Sequence, residues 1–476
     1  MADGSTSESS STRPATRAEL AASGWVSLSV KDEIRRNAVA KIVAGEPLLE
    51  GITGYDDTVI PQLENAVLAG HDVIFLGERG QAKSRIIRSL STLLDEWMPI
   101  VAGSEMNDDP FHPVSRHARD LLAAHGDDTP IEWVPRDRRF AEKLATPDTS
   151  IADLIGEIDP IKVAEGRYLS DELALHYGLV PRTNRGIFAI NELPDLPERI
   201  QVGLLNVLEE RDVQIRGSTV RLSLDVLLVA SANPEDYTNR GRIITPLKDR
   251  FGSQIRTHYP LQVPTEVEII HAEAKQLDVD GRTVGVPDYL VDVIATFSHL
   301  ARASSHVNQR SGVSVRLSVS NYEALAANAL RRGLRCGEEV VVARVDDLDA
   351  LPASTSGKIE IESLEDGREG AIVENLLDGA VLTVFRERVS AGTLVAITDA
   401  FEEGAVAHTG QDIGSRELAG LVDEIDSLRA PAAELTGGDE SPAAIASAVG
   451  FVLEGLHLSK RLNKDTSGVR ATYRAR

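Results

Sequence analysis

Val73-Ile74-Phe75-Leu76-Gly77-Glu78-Arg79-Gly80-Gln81-Ala82-Lys83-Ser84 decides how the rest of the chain is read. Four apolar residues in a row, bounded by a glycine, match a strand covered on both faces of a parallel sheet. Beyond Ser84, apolar residues at 86, 87, 90, 93, 94 and 97 recur at helical spacing, which predicts strand, glycine turn and helix in that order. The turn fits the phosphate-loop pattern G-x-x-x-x-G-K-[S/T] except at Ala82. A methyl group is compatible with that loop if residue 82 has a negative φ. Backbone N–H groups of Gly80, Gln81, Ala82, Lys83 and Ser84 would then cradle a β-phosphate, helped by the helix start. Lys83 would neutralise phosphate oxygens, and the Ser84 hydroxyl would bind Mg²⁺.

Two further buried strands are predicted at 187–190 and 226–230. The first ends in Asn191-Glu192. A carboxylate there can polarise an attacking water, so Glu192 is the candidate base. Asn191 brings no charge and could hold a magnesium-bound water only through its amide, with Asp195 a possible compensating acid three residues from Glu192. The second strand ends at Asn233-Pro234, which would place a polar side chain beside a γ-phosphate. Thr245-Pro246-Leu247-Lys248-Asp249-Arg250-Phe251-Gly252 then presents Arg250 at a helix end, suited to reach the γ-phosphate of a neighbouring subunit.

Taken together, the loop, Asn184-Arg185-Gly186-Ile187-Phe188 with Asn191-Glu192, Ala232-Asn233-Pro234-Glu235 and the Arg250 segment resemble the AAA+ ATPases of the MoxR and magnesium-chelatase I-subunit clade. The resemblance covers residues 45–335 and fades after Cys336. It implies an α/β P-loop core with a parallel sheet, then a helical lid and a mostly helical C-terminal region. It makes 77–84 (with Glu78 and Arg79) the Walker A loop, Asn191 and Glu192 the Walker B pair, Asn233 sensor 1 and Arg250 the arginine finger. Sensor 2 is Arg316 or Arg310. Asn191 departs from the usual Asp, whereas Ala82 is common in chelatase-type members. Residues 151–185 resemble the clade's insertion, and 210–222 its hairpin before sensor 1, with charged tips at Arg211, Asp212, Arg216 and Arg221. The family further implies ATP and Mg²⁺, a homo-oligomeric ring that is hexameric, and a separate von Willebrand A-domain partner protein.

The domains expected are a disordered tail over 1–20, an α/β core over 21–262, a lid over 263–335 and a mostly helical region over 336–476. Asp3-Gly4-Ser5-Thr6-Ser7 in the tail matches a metal-site pattern of von Willebrand A domains but lacks the preceding strand. In the third region a hairpin is expected near 357–361, a helix over 372–385, a solvated acidic face over 396–440 and a frayed basic tail over the last twenty residues.

The 476 residues carry a formal net charge of −24, which argues against binding nucleic acid or an anionic membrane. One cysteine forms no internal bridge, no run is apolar enough to cross a bilayer, and the start lacks a signal-peptide pattern, so a cytoplasmic protein is expected. Neither the Gly-Ala-Phe-Thr-Gly-Ala loop of enhancer-binding transcriptional activators nor their DNA-binding helix-turn-helix is found. The reading is an ATP-driven ring that remodels or activates a partner protein. The alternatives are the motor subunit of a chelatase that inserts a divalent metal into a tetrapyrrole, and a slow ATP-binding switch.

Overall fold

The computed structural model describes residues 13–164, 172–214, 221–233, 242–279, 281–308, 311–361 and 368–476. They form two compact units: the described residues up to Gly77 with Ala82–Thr257, and Glu78–Gln81 with the described residues from His258 on.

The first unit is built on five parallel strands: β1 (Val73–Leu76), β2 (Phe140–Leu144), β3 (Gly186–Asn191), β4 (Val226–Ala232) and β5 (Ser253–Arg256), in the order β5-β1-β4-β3-β2. Every residue of β1, β3 and β4 is buried, as their uninterrupted apolar runs require. Alternate side chains feed two cores. Val73, Phe75, Ile187 and Val229 face one, Ile74, Leu76, Phe188 and Leu228 the other. Helices α1 (Val30–Ala44), α2 (Val59–Ala69) and α3 (Lys83–Ser89) cover the first face through Ile34, Leu63 and Ile87. Helix α4 (Glu198–Glu209) covers the second through Ile200, Leu204 and Val207. All five strands therefore run the same way, and their C-terminal ends place Leu76, Asn191 and Ala232 along one edge.

Two expectations are corrected in this unit. The helix after Ser84 is shorter than its apolar spacing suggests. It stops at Ser89, a 3-10 turn spans Leu90–Leu93, and Trp97 opens the strand Trp97–Val101, paired antiparallel with Ile131–Pro135. Pro99 disfavours helical backbone at Met98, so the apolar rhythm cannot continue as a helix. Residues 13–20 are also ordered, whereas 1–12, with the Asp3–Ser7 pattern, lie outside the described residues. Thr16 caps the helix Arg17–Ala22, whose Leu20 is fully buried. Trp133 donates to the Pro14 carbonyl at 2.8 Å, and the Arg13 guanidinium lies 3.8 Å from the Trp97 ring centre. These anchors lie more than eighty residues away in sequence, beyond the reach of local composition.

The second unit begins with helices α5 (Val263–Glu273), α6 (Asp288–Ala303) and α7 (Arg316–Cys336) and continues with α8 (Glu369–Arg388) and α9 (Pro442–Leu458). The apolar stretch around 443–456 is its central helix, and each polar interruption is satisfied. Ser447 donates to the Ala343 carbonyl at 2.5 Å, and Glu454 accepts from Lys464 at 2.7 Å and from the Tyr473 hydroxyl. A Cβ at Gly455 would lie 2.1 Å from the Phe385 ring, so α8 and α9 cross where no side chain fits.

The last twenty residues are not frayed. Strands β6 (Ala407–Gly410), β7 (Leu462–Ser467) and β8 (Arg470–Ala475) form an antiparallel sheet in the order β6-β8-β7, held by buried Leu462, Ala471 and Tyr473. Near residues 357–361 there is a tight turn rather than a two-stranded hairpin: Gly357 has φ +78°, Ser356 bridges to Ile359, and Ile361 bridges to Val307. The acidic stretch is spread over short helices, with Asp423 and Asp426 paired to Arg429 and Asp412 to Arg470. Among the described residues no helix is long and apolar enough to cross a membrane.

Candidate functional site

The glycine-rich turn leaves β1 at Leu76 and enters α3 at Lys83. Gly80 has φ +75°, and a Cβ on it would lie 1.8 Å from Ser314 Oγ, so only glycine fits. Ala82 does not keep the negative φ expected of it. It adopts φ +54° and ψ +13°, the left-handed region, which is costly for a residue with a Cβ. A left-handed residue followed by a helical one turns successive N–H groups to one side, which forms an anion-binding concavity. The tip is braced by Glu78 N–H on Gln81 Oε1 at 3.0 Å and by the Tyr259 hydroxyl on the Arg79 carbonyl at 2.7 Å.

Lys83 is buried. Its ammonium donates to the Gly77 carbonyl and, at 2.7 Å, to Asn233 Oδ1. Asn233 Nδ2 donates in turn to Glu192 Oε2 at 3.1 Å. The loop, the end of β3 and the end of β4 thus converge through one amide. Glu192 itself sits in the left-handed region, φ +55° and ψ +48°, where the chain leaves β3. Its N–H donates to Ser231 Oγ at 3.3 Å, and the Ser231 hydroxyl donates to Asn191 Oδ1 at 3.0 Å. Asn191 Nδ2 donates to Glu142 Oε1 on β2. Arg88, on α3, grips the same carboxyl with Nε at 2.6 Å and Nη2 at 3.1 Å, and this pairing raises the guanidinium pKa.

Five of the expected residues, Lys83, Asn191, Glu192, Asn233 and the loop glycine Gly77, are therefore joined by hydrogen bonds. Ser84 follows Lys83 at the start of α3. Arg250 closes the helix Thr245–Arg250, where it pairs with Glu209 at 3.0 Å and Asp249 at 3.1 Å on the surface; the Glu209 hydrogen bond raises its pKa. Arg316 opens α7 in the second unit with its side chain exposed, and Arg310 lies outside the described residues. Asp195 ends a 3-10 turn after Glu192.

The hairpin before β4 pairs Asp212–Gln214 with Arg221–Ser223, and Arg216 lies outside the described residues. Arg211 is not at its tip. It donates to Asp72 and, at 3.1 Å, to the Val226 carbonyl. Residues 151–164 and 172–185 include a short antiparallel pair, Gly156–Ile158 with Leu175–Tyr177. Glu142, Arg88 and Ser231 were not anticipated. Phe140–Leu144 lacks a continuous apolar run, yet a neutral Asn191 was itself a signal to look for an acid on the next strand.

The chain is similar to known proteins over part of its length. The Sigma-54 interaction domain family matches residues 165–250, the stretch holding β3, α4 and β4. The magnesium-chelatase subunit ChlI of Anabaena variabilis is 30% identical over 209 residues, covering 43% of this chain and 57% of the relative. The magnesium-chelatase 38 kDa subunit of Cereibacter sphaeroides is 30% identical over 210 residues, covering 42% and 54%. The chain thus spans about half the length of the curated relatives it matches. The complex between subunits BchI and BchD of magnesium chelatase, based on a single-particle cryo-EM reconstruction, aligns with TM-score 0.34 and 21% identity over 68% of this chain and 97% of that one. Over these stretches the chain is similar in sequence to the magnesium-chelatase I subunits, and its own first unit is an α/β core of five parallel strands in the order β5-β1-β4-β3-β2.

Proposed function

We propose that this protein hydrolyses ATP and works as a ring-forming motor on a partner protein. The hydrogen-bonded series Lys83–Asn233–Glu192 carries the reading, because it joins a phosphate-loop lysine, a polar sensor and a carboxylate at the ends of adjacent elements. The donor set suits a nucleotide with Mg²⁺. The left-handed Ala82 shapes the loop for phosphate oxygens, Lys83 supplies a cation, and Ser84 and the Asn191 amide oxygen are the groups that would hold the metal ion. Bound Mg²⁺ would neutralise phosphate charge. Glu192 orients and deprotonates the attacking water, and Asn233 fixes the carboxylate that does so. Arg250, exposed and paired with Glu209 and Asp249, serves the site of the next subunit in a ring, which we take to be a hexamer. Asn191 in place of an acid makes turnover slow.

The partner in this reading is a separate protein with a von Willebrand A domain. A second reading, the motor of a metal chelatase, is favoured by the relatives' own designation as magnesium-chelatase subunits. Steady-state ATPase assays on the purified protein test the common core of both. Glu192→Gln should lower turnover about a hundredfold or more while retaining ATP. Arg250→Ala should stop turnover and spare binding. An unchanged rate in Glu192→Gln overturns the mechanism. Capture on the ATP-loaded Glu192→Gln ring separates the readings: a von Willebrand A-domain protein supports the first, and metal insertion restored with chelatase subunits supports the second.

A further inference from the structure

The neutral Asn191 touches a carboxylate that belongs to none of the motifs. β2 and β3 run parallel with Leu144 opposite Asn191, so Glu142, two residues back, points to the same face. α3 brings Arg88 there from four residues after Ser84, one turn along the same helix face. The Asn191 amide is oriented from both ends: its N–H meets Glu142, and its oxygen accepts from Ser231, which accepts from the Glu192 N–H.

Resting on the nucleotide reading above, we propose that the acid of this site has been transposed from position 191 to position 142. Glu142 is a positioning residue that sets Asn191 and, through Ser231, the left-handed backbone of Glu192. Asn191 is an amide because its neighbour is already an acid. An aspartate at 191 would press one carboxylate against another, with Arg88 able to offset a single charge. Exchanging the pair, so that position 142 carries the amide and position 191 the acid, keeps the net charge and puts the carboxylate on the side chain that would hold the metal ion.

The test is equilibrium binding of a fluorescent ATP analogue, with Mg²⁺ and with EDTA, to the full-length protein and to N191D, E142Q and N191D/E142Q. The ratio of the two affinities reads the coupling to Mg²⁺ without reference to turnover. N191D alone should leave that ratio at or below the wild-type value, and the double variant should exceed N191D by about tenfold. The nucleotide-free thermal midpoint should fall in N191D and recover in the double variant. A ratio in N191D equal to that of the double variant overturns the transposition. Absence of ATP binding by the wild-type protein overturns the nucleotide reading and this proposal with it.

Discussion

Lys83 and Asn233 are joined by a hydrogen bond of 2.7 Å, and the same Asn233 amide holds Glu192 at 3.1 Å. One side chain therefore sets both the lysine of the phosphate loop and the carboxylate at the end of β3. Removing it leaves Lys83 on the Gly77 carbonyl and Glu192 without this donor. Asn233→Ala should therefore lower ATP turnover about a hundredfold while nucleotide affinity changes by only a few fold. Parallel measurement of turnover and nucleotide binding checks this. Equal losses in both would mean that Asn233 acts on binding alone.

Ala82 and Gly80 both have positive φ in the same loop, yet they should respond oppositely to exchange. Left-handed backbone costs a residue with a Cβ about 1–2 kcal/mol, partly offset by the greater unfolded-chain freedom of glycine. Ala82→Gly should raise stability by up to about 1 kcal/mol, read as a shift in the denaturation midpoint. Gly80→Ala should lower it, because the new methyl would meet Ser314 Oγ at 1.8 Å.

What was legible in the sequence is what is local. Val73–Leu76, Ile187–Ile190 and Val226–Ala230 announce buried parallel strands because a strand covered on both faces needs an unbroken apolar run. The residues hydrogen-bonded at their ends follow from those runs. Glu142 was invisible because β2 is an edge strand, half-buried, with mixed residues. The helix at Arg17–Ala22 and the strands at the C-terminus depend on partners far along the chain. Tyr473 pairs with Ala407 and Trp133 reaches Pro14 across separations that no window of composition spans.

Asp346 gives the second unit a pH signature. Its Oδ2 is buried with no hydrogen-bond partner among the described residues, and burial raises its pKa to about 6. The folded protein therefore holds this proton more tightly than the unfolded chain does. Stability falls as pH rises from the ordinary carboxylate value to about 6, and the whole penalty is present above that. Asp346→Asn should thus raise the thermal midpoint at pH 7.5, with a gain of about 1–3 kcal/mol. The gain should shrink between pH 6 and pH 4. A gain independent of pH would assign the effect to packing instead.

The C-terminal sheet makes the last prediction. Tyr473 is fully buried in β8, and its hydroxyl and the Lys464 ammonium both donate to Glu454 on the central helix α9. Burial pushes the phenol well above its ordinary pKa, so it stays a donor into strongly alkaline solution. Tyr473→Phe keeps the ring and removes one donor, which should cost about 1–2 kcal/mol because Lys464 still meets Glu454. Tyr473→Ala also opens a cavity beside α9 and should cost about 3–5 kcal/mol. Removing residues 460–476 strips β6 of its partner strand and leaves Glu454 buried against neither donor, so the loss should exceed that of Tyr473→Ala. Chemical denaturation of the three variants orders these effects. A truncated protein as stable as the full chain would show that the sheet is an appendage rather than part of the second unit's core.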